Sequence, residues 1–132
     1  MPSSKSKLED YFEERFGVPQ KFWKNYSAFE NENSIWVRSE EIEEPERMDT
    51  VAAGIRALRK QKFGFKPTTY ILQFLGDEIS RNVVELKRKE LDKVVFQRES
   101  LESKRISNLS RGFVALKFSG EILGCGLKTR NG

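Results

Sequence analysis

The chain contains no histidine and a single cysteine among its 132 residues. Histidine is the side chain that most often serves as a general base near neutral pH and as a zinc ligand, so its absence weakens both possibilities. One cysteine can form neither a disulfide within the chain nor a CxxC zinc site, and it suits a reducing compartment. The sequence therefore predicts a protein that holds no metal.

Phosphate-binding loops and long apolar runs are also missing. No GxxxxGK[ST] loop is present and no GxGxxG follows a strand pattern, so the chain lacks the usual nucleotide-binding loops. No run of about 18 apolar residues could span a membrane. The N-terminal "MPSSKSKLEDYFEERF" lacks the apolar core of a signal peptide. We therefore expect a cytoplasmic protein that is not an enzyme, uses no cofactor and has no membrane partner.

Charge is distributed unevenly along the chain. Residues 1–50 carry 7 Lys plus Arg against 12 Asp plus Glu, a net −5, whereas residues 51–132 carry 17 against 8, a net +9. A strongly basic segment suggests a polyanion partner, and nucleic acid is the obvious one. A solvated surface of mixed charge is the alternative interpretation.

The pattern of residues predicts an α+β chain. "SKLEDYFEERFG" reads as a helix with a capping box at Ser6 and a stop at Gly17, and "VPQKFWKNY" as a second short helix. A hairpin is expected around the polar turn 31–33, and a loop or boundary in the acidic stretch 40–47. We expect a small αβ segment over residues 1–48 and a second domain over residues 49–132.

The second part adds two helices and a glycine-rich hairpin. "KPTTYILQFLG" predicts a helix capped by Thr68 or Thr69, and "KRKELDKVVFQRE" a helix with Leu91, Val94 and Val95 directed inward. "GFVALKFSGEILGCGL" predicts a hairpin with a two-residue turn, Ser119-Gly120. Without a histidine to activate its thiol, Cys125 in this hairpin is expected to pack in a strand rather than react.

Basic residues are interleaved with two phenylalanines over residues 56–66, just before the helix predicted in "KPTTYILQFLG". Lysine and arginine neutralise phosphates, and an exposed phenylalanine can stack on an unpaired base. The cluster interpreted as a binding surface consists of Arg56, Arg59, Lys60, Lys62, Lys66, Thr68 and Thr69. For the neighbouring Phe63 and Phe65 we favour a place in the core.

These residues, taken in order, resemble a known family. "GFVALKFSGEILGCGL", with Gly120, Leu123, Gly124 and Gly126, resembles the signature hairpin of PUA and PUA-like RNA-binding domains. "GIRALRKQKFGFKPTTYILQFLG" followed by "RNVVEL" is similar to the strand, basic loop, helix and strand that open such domains. The chain is most similar to the PUA-like domain of RsmF-type ribosomal RNA cytosine methyltransferases and to stand-alone archaeal proteins of that type.

The resemblance implies a mixed β-barrel that binds structured RNA, ribosomal or transfer RNA, in RNA modification or ribosome biogenesis. It implies strand structure over residues 51–59, although alanine and leucine in this stretch by themselves favour a helix. It also adds Lys128 and Arg130 as a second wall opposite the basic cluster. Such domains usually add one more strand after this point, so either that strand is missing or the barrel closes differently. No methyltransferase loop accompanies the module, so a separate RNA methyltransferase is a possible partner.

A protein-interaction module is the alternative function. The aromatic-rich "KFWKNYSAF" could dock an RNA-modification enzyme or a ribosomal protein. An exposed patch containing Trp23 and Trp36 would favour this function.

Overall fold

The computed structural model of the chain describes residues 3–40, 54–97, 101 and 109–129. In this part of the chain the strands are β1 (Tyr26–Glu30), β2 (Ser34–Ser39), β3 (Ile55–Gln61), β4 (Gly64–Pro67), β5 (Val83–Glu85), β6 (Gly112–Phe118) and β7 (Glu121–Lys128). The helices are α1 (Ser4–Phe16), α2 (Thr69–Leu75) and α3 (Arg88–Leu91), with 3-10 turns at Gln20–Trp23 and Gly76–Glu78 and a π turn at Asp92–Phe96.

The strands form two sheets. One has four antiparallel strands in the order β1-β2-β3-β4, and the other has the order β5-β6-β7 with β5 parallel to β6. The α+β class is therefore confirmed. The described strands do not close into a single barrel, so the barrel remains a prediction. The predicted strand over residues 51–59 is confirmed from Ile55 onward, whereas residues 51–53 lie outside the described part.

Helix α1 begins earlier than its capping pattern suggests. Ser3 is its N-cap, because the Ser3 hydroxyl accepts a hydrogen bond from the Ser6 amide at 3.0 Å, so the capping box placed at Ser6 is wrong. Leu8, Phe12 and Phe16 recur every four residues and are buried against the first sheet and its neighbours. The helix ends at Phe16 and is capped by Gly17, whose positive φ of 70° gives a left-handed cap at the predicted stop.

One hydrophobic core joins the two sheets to α1 and α2. It includes Ile35 of β2, Leu58 of β3, Ile71 of α2 and Ala115 of β6. Trp23 belongs to this core and has no exposed surface. The first sheet combines β1 and β2, which precede the predicted boundary at residue 48, with β3 and β4, which follow it. The division into domains itself stays a prediction.

The hairpin turns agree with the sequence pattern, whereas the third helix differs from it. Ser119 and Gly120 both have positive φ and connect β6 to β7 as the predicted two-residue turn. The helix expected in "KRKELDKVVFQRE" is a single α turn followed by a π turn, and Val95 is 41% exposed rather than directed inward. Residues 41–47 of the acidic stretch and 103–108 of the basic loop lie outside the described part.

Glu30, at the end of β1, connects α1 to the first sheet. Its carboxylate accepts hydrogen bonds from the Ser4 hydroxyl at 2.7 Å and from the ammonium groups of Lys7 at 3.1 Å and Lys60 at 2.5 Å. These donors, the bond from Lys60 first, lower the pKa of Glu30 to about 2. The ionised carboxylate therefore stabilises the contact between helix and sheet.

We expect Glu30→Gln to destabilise the fold by about 1–2 kcal/mol at pH 7, because two ammonium groups lose a charged acceptor. Since the pKa of Glu30 is lower in the folded chain than its ordinary value of 4.5, its stabilisation is present above pH 4.5 and is lost as the pH falls toward 2. Urea unfolding at several pH values measures both effects.

The matched control is Glu32→Gln in the exposed turn between β1 and β2. It should leave the free energy of unfolding nearly unchanged. Equal effects of the two substitutions would contradict a stabilising role for Glu30.

Candidate nucleic-acid interface

A cavity of about 520 Å³ lies between the first sheet, the start of α2 and strand β7. It is lined by Trp36, Arg56, Arg59, Lys66, Pro67, Thr68, Thr69, Tyr70 and Cys125. Five of the nine residues predicted to bind RNA are in this lining: Arg56, Arg59, Lys66, Thr68 and Thr69. The structure thus brings most of the predicted basic cluster to one concave surface.

An irregularity in the pairing of β2 with β3 places both arginines on the cavity side. Ile35 pairs with Leu58, but the next residue, Trp36, pairs with Arg56, so Ala57 is passed over. Residues three apart in a regular strand point to opposite faces, and an extra residue restores them to the same face. Arg56 and Arg59 are consequently both exposed, while the two residues between them are buried.

Three cations meet at this cavity with no acid among the residues that line it. Arg59 of β3 is directly opposite Lys66 of β4, and like charges in this position repel each other. Among the ion pairs between described residues, none involves Arg56, Arg59 or Lys66. The cavity therefore has a positive potential that an anionic ligand would neutralise.

Aromatic rings hold two of these cations in place. The guanidinium carbon of Arg56 lies 5.2 Å from the centroid of the Trp36 ring. The ammonium of Lys66 lies 5.7 Å from the centroid of the Phe113 ring, which belongs to β6. Cation–π contacts of this kind orient a charge without neutralising it.

The Thr68 hydroxyl already forms two hydrogen bonds within the fold. Its hydroxyl accepts a hydrogen bond from the Ile71 amide at 3.2 Å, which caps α2, and donates one to the Arg56 carbonyl at 2.6 Å. The hydroxyl thereby fixes the start of α2 against the strand that carries Arg56. Thr69 is exposed at the cavity, whereas Thr68 acts on the site through the position of the backbone.

The other four predicted residues do not line the cavity. Lys60 shares the face of Leu58, two residues earlier, and its ammonium pairs with Glu30 and donates to the Asn31 carbonyl. Lys62 lies in the exposed turn between β3 and β4, with its ammonium 5.6 Å from the Phe63 ring centroid. Lys128 ends β7 and donates to the Thr129 carbonyl at 3.3 Å, and Arg130 lies outside the described residues.

Two aromatic residues of the lining were not predicted as binding residues. Trp36 faces the cavity because Ile35 and Val37, its neighbours in β2, are buried on the opposite face. That alternation is visible in the sequence and could have found it. Tyr70 is 73% exposed at the start of α2, because Ile71, Leu72 and Leu75 form the buried face of this helix.

The two phenylalanines near the basic cluster have different environments. Phe63 is 89% exposed at the hairpin turn, so its predicted place in the core is wrong. Phe65 is half-buried, and its ring packs edge-on against Tyr11 at 6.0 Å. An exposed patch with both tryptophans, which would favour protein docking, does not form, because Trp23 is fully buried.

Cys125 forms part of the cavity wall as a half-buried residue of β7. Burial raises the pKa of its thiol to about 11, and the positive charges of Lys66 and Arg15 offset only part of this effect. The thiol is therefore protonated at neutral pH. Among the described residues, no group of three or more cysteine, aspartate or glutamate side chains is placed to hold a metal ion.

The comparisons with known proteins match only the first part of the chain. Residues 2–52 match a family of unknown function, DUF7122. Neither the curated proteins nor the solved structures contain a match. The matched segment includes α1, β1 and β2, and with them Trp36, but it ends before all three cations of the cavity. In the part of the chain that is described, no helix has the length and apolar character needed to cross a membrane.

We expect Cys125 to react slowly with iodoacetamide in the folded protein. At pH 8, a pKa of about 11 instead of the ordinary 9.0 lowers the thiolate fraction about 100-fold relative to the unfolded chain. The rate should rise about tenfold for each pH unit between 7 and 9. Because Cys125 is the only thiol, mass spectrometry of the intact chain, native and in guanidinium, measures this directly.

A native rate equal to or above that of the unfolded chain would contradict the raised pKa and would mark Cys125 as a reactive thiol.

Proposed function

We propose that this protein binds structured RNA, ribosomal or transfer RNA, at the cavity between β3 and α2, and acts in RNA modification or ribosome biogenesis without catalysis of its own. The observation that carries the proposal is the convergence of three cations without ion-pair partners among the described residues, Arg56, Arg59 and Lys66, on one concave surface. Phosphate groups are the anions that such a surface recognises in a nucleic acid.

The arrangement of charge favours a polyanion over a small acidic ligand. Lys62 extends the positive surface to the tip of the β3–β4 hairpin, beyond the cavity lining. The segment from residue 51 onward carries a net +9 in total. A ligand with phosphates spaced along a backbone can contact both the cavity and this hairpin, which a single small anion cannot do.

Exposed aromatic rings support RNA in particular. Tyr70 at the cavity and Phe63 beside Lys62 are both largely exposed, at 73% and 89%. Aromatic rings next to cations are typical of surfaces that contact unpaired bases as well as phosphates. In RNA such bases occur in loops and bulges, which are abundant in ribosomal and transfer RNA.

The fold we propose for this function is a PUA-like barrel. The order strand β3, basic hairpin, helix α2 and strand β5, followed by the glycine-rich hairpin β6–β7, agrees with the order of elements in the PUA-like domains that the sequence resembles. The core shared by the two sheets also supports it. Closure of the sheets into a barrel is part of the proposal.

Docking of an RNA methyltransferase or a ribosomal protein is a second candidate function. It is favoured by a surface of three mutually contacting rings, Phe22, Tyr26 and Phe74, of which Phe74 is 41% exposed. This surface does not include Trp23 or Trp36, the residues that the sequence suggested for such a patch.

The RNA proposal is tested by charge reversal at the cavity. We expect Arg56→Glu combined with Lys66→Glu to weaken binding to total tRNA and to a ribosomal RNA fragment at least tenfold, because two phosphate contacts become repulsive. Filter-binding titrations over a range of salt concentrations measure this. For the unmodified protein, affinity should fall steeply with salt, and the slope should be shallower by about two counterions in the double variant.

The matched control is Arg88→Glu combined with Lys89→Glu on α3. Both residues are exposed, neither lines the cavity, and the change in net charge is the same. Equal weakening by the two double variants would show non-specific attraction and contradict a cavity site. No binding to either RNA at low salt would contradict RNA binding altogether and leave protein docking as the function to test.

A further inference from the structure

We infer that the cavity receives a single unpaired nucleotide of the bound RNA, with its base stacked against Arg56. This inference rests on the proposed function and adds to it the part of the RNA that enters the site. Phosphate contacts alone would recognise a duplex equally well.

Three planar side chains lie next to one another across the first sheet, and the last of them lines the cavity. The register places Phe29 of β1 opposite Trp36 of β2, and Trp36 opposite Arg56 of β3. The Phe29 and Trp36 rings are nearly parallel, at an angle of 5° with centroids 6.2 Å apart. The Arg56 guanidinium follows over the Trp36 ring at 5.2 Å. Each strand thus contributes one planar group to a continuous row.

The row ends at Arg56 because the fourth strand leaves the sheet. Pro67, the last residue of β4, pairs with Leu58, and Thr68 then donates its amide to the Ala57 carbonyl before the chain turns into α2. No residue of β4 is paired with Arg56. Arg56 lines the cavity, and no further strand of the first sheet, among those described, adds a planar group to the row beside it.

A nucleotide base fits this position in chemistry and in size. Bases stack on arginine guanidinium planes as well as on aromatic rings. The volume of about 520 Å³ is typical of pockets that enclose one small molecule, and it is too small to admit a paired helix. Tyr70, which also lines the cavity and is largely exposed, offers a second ring to the same base.

The remaining cations are placed for the phosphate of that nucleotide. Arg59 and Lys66 face each other across β3 and β4 at the same cavity, and a phosphate between them would relieve their repulsion. Because a base bound this way must leave its helix, the RNA best suited to the site carries a bulged or looped nucleotide.

The test compares two RNA hairpins of equal length, one fully paired and one with a single bulged 2-aminopurine. We expect the bulged hairpin to bind about tenfold to hundredfold more tightly, the range that stacking of one base supports. The fluorescence of the 2-aminopurine should fall on binding. Free 2-aminopurine ribonucleoside monophosphate should not compete at concentrations near the RNA affinity.

The diagnostic variant is Arg56→Lys, which keeps the charge and removes the planar group. It should weaken binding of the bulged hairpin at least fivefold more than binding of the paired hairpin, because both RNAs still meet a positive charge at this position but only the bulged one loses a stacking partner. Arg88→Lys on α3, where the residue is exposed and does not line the cavity, is the matched control and should change neither affinity.

The possible failures are distinct. Equal binding of the two hairpins, or a preference that Arg56→Lys leaves intact, would overturn the inference and leave RNA binding in place. Competition by the free nucleotide at low concentration would replace the RNA by a mononucleotide as the ligand. Binding of neither hairpin would overturn the inference together with the proposed function.

Discussion

The site depends on the irregular pairing between β2 and β3. Because Ala57 is passed over in the register, two consecutive residues, Ala57 and Leu58, are buried and the arginines on either side of them are exposed on one face. The burial of Leu58 in the shared core holds the irregularity in place, since a shift by one residue would expose it. The position of the cations is therefore fixed by packing on the other face of the sheet.

The same pairing creates electrostatic repulsion within the folded chain. Arg59 and Lys66 oppose each other, Arg56 is close by, and no carboxylate is present in the lining. By contrast, on the opposite face of the sheet Glu30 is surrounded by Lys7 and Lys60 and forms an ion-pair network. The cations that attach α1 to the sheet, Lys7 and Lys60, are thus neutralised by Glu30. The cations at the cavity have no acidic neighbour in the lining. An anion bound at the cavity would remove the repulsion, so binding and folding stability should be coupled there.

Local signals in the sequence predicted much of the fold. The glycine after α1, the threonine cap of α2 and the Ser119-Gly120 turn each specify a backbone geometry within a few residues, and the structure confirms them. Most members of the basic cluster also come from one short segment, so local sequence was enough to predict the cluster.

The predictions that failed concern which face of a strand a side chain occupies or whether it is buried. Short sequence patterns specify this property poorly. Lys60 differs from Arg59 by one position in β3, yet it points to the opposite face and pairs with Glu30. Trp36 and Trp23 look alike as aromatic residues of one segment, but one lines the cavity and the other is buried in the core. Two consecutive apolar residues, Ala57 and Leu58, break the alternation of a strand but do not reveal which residue is passed over or which partner faces Arg56, so the meeting of Arg56 with Trp36 required the structure.

The most direct test of the account is a nuclear magnetic resonance titration of the isotope-labelled chain with a structured RNA. The account predicts that the largest changes in amide chemical shift occur at Trp36, Arg56, Arg59, Thr69 and Cys125, which come from four separate elements and meet only at the cavity. Changes concentrated on α3, or on the surface of Phe22, Tyr26 and Phe74, with the cavity residues unaffected, would contradict it.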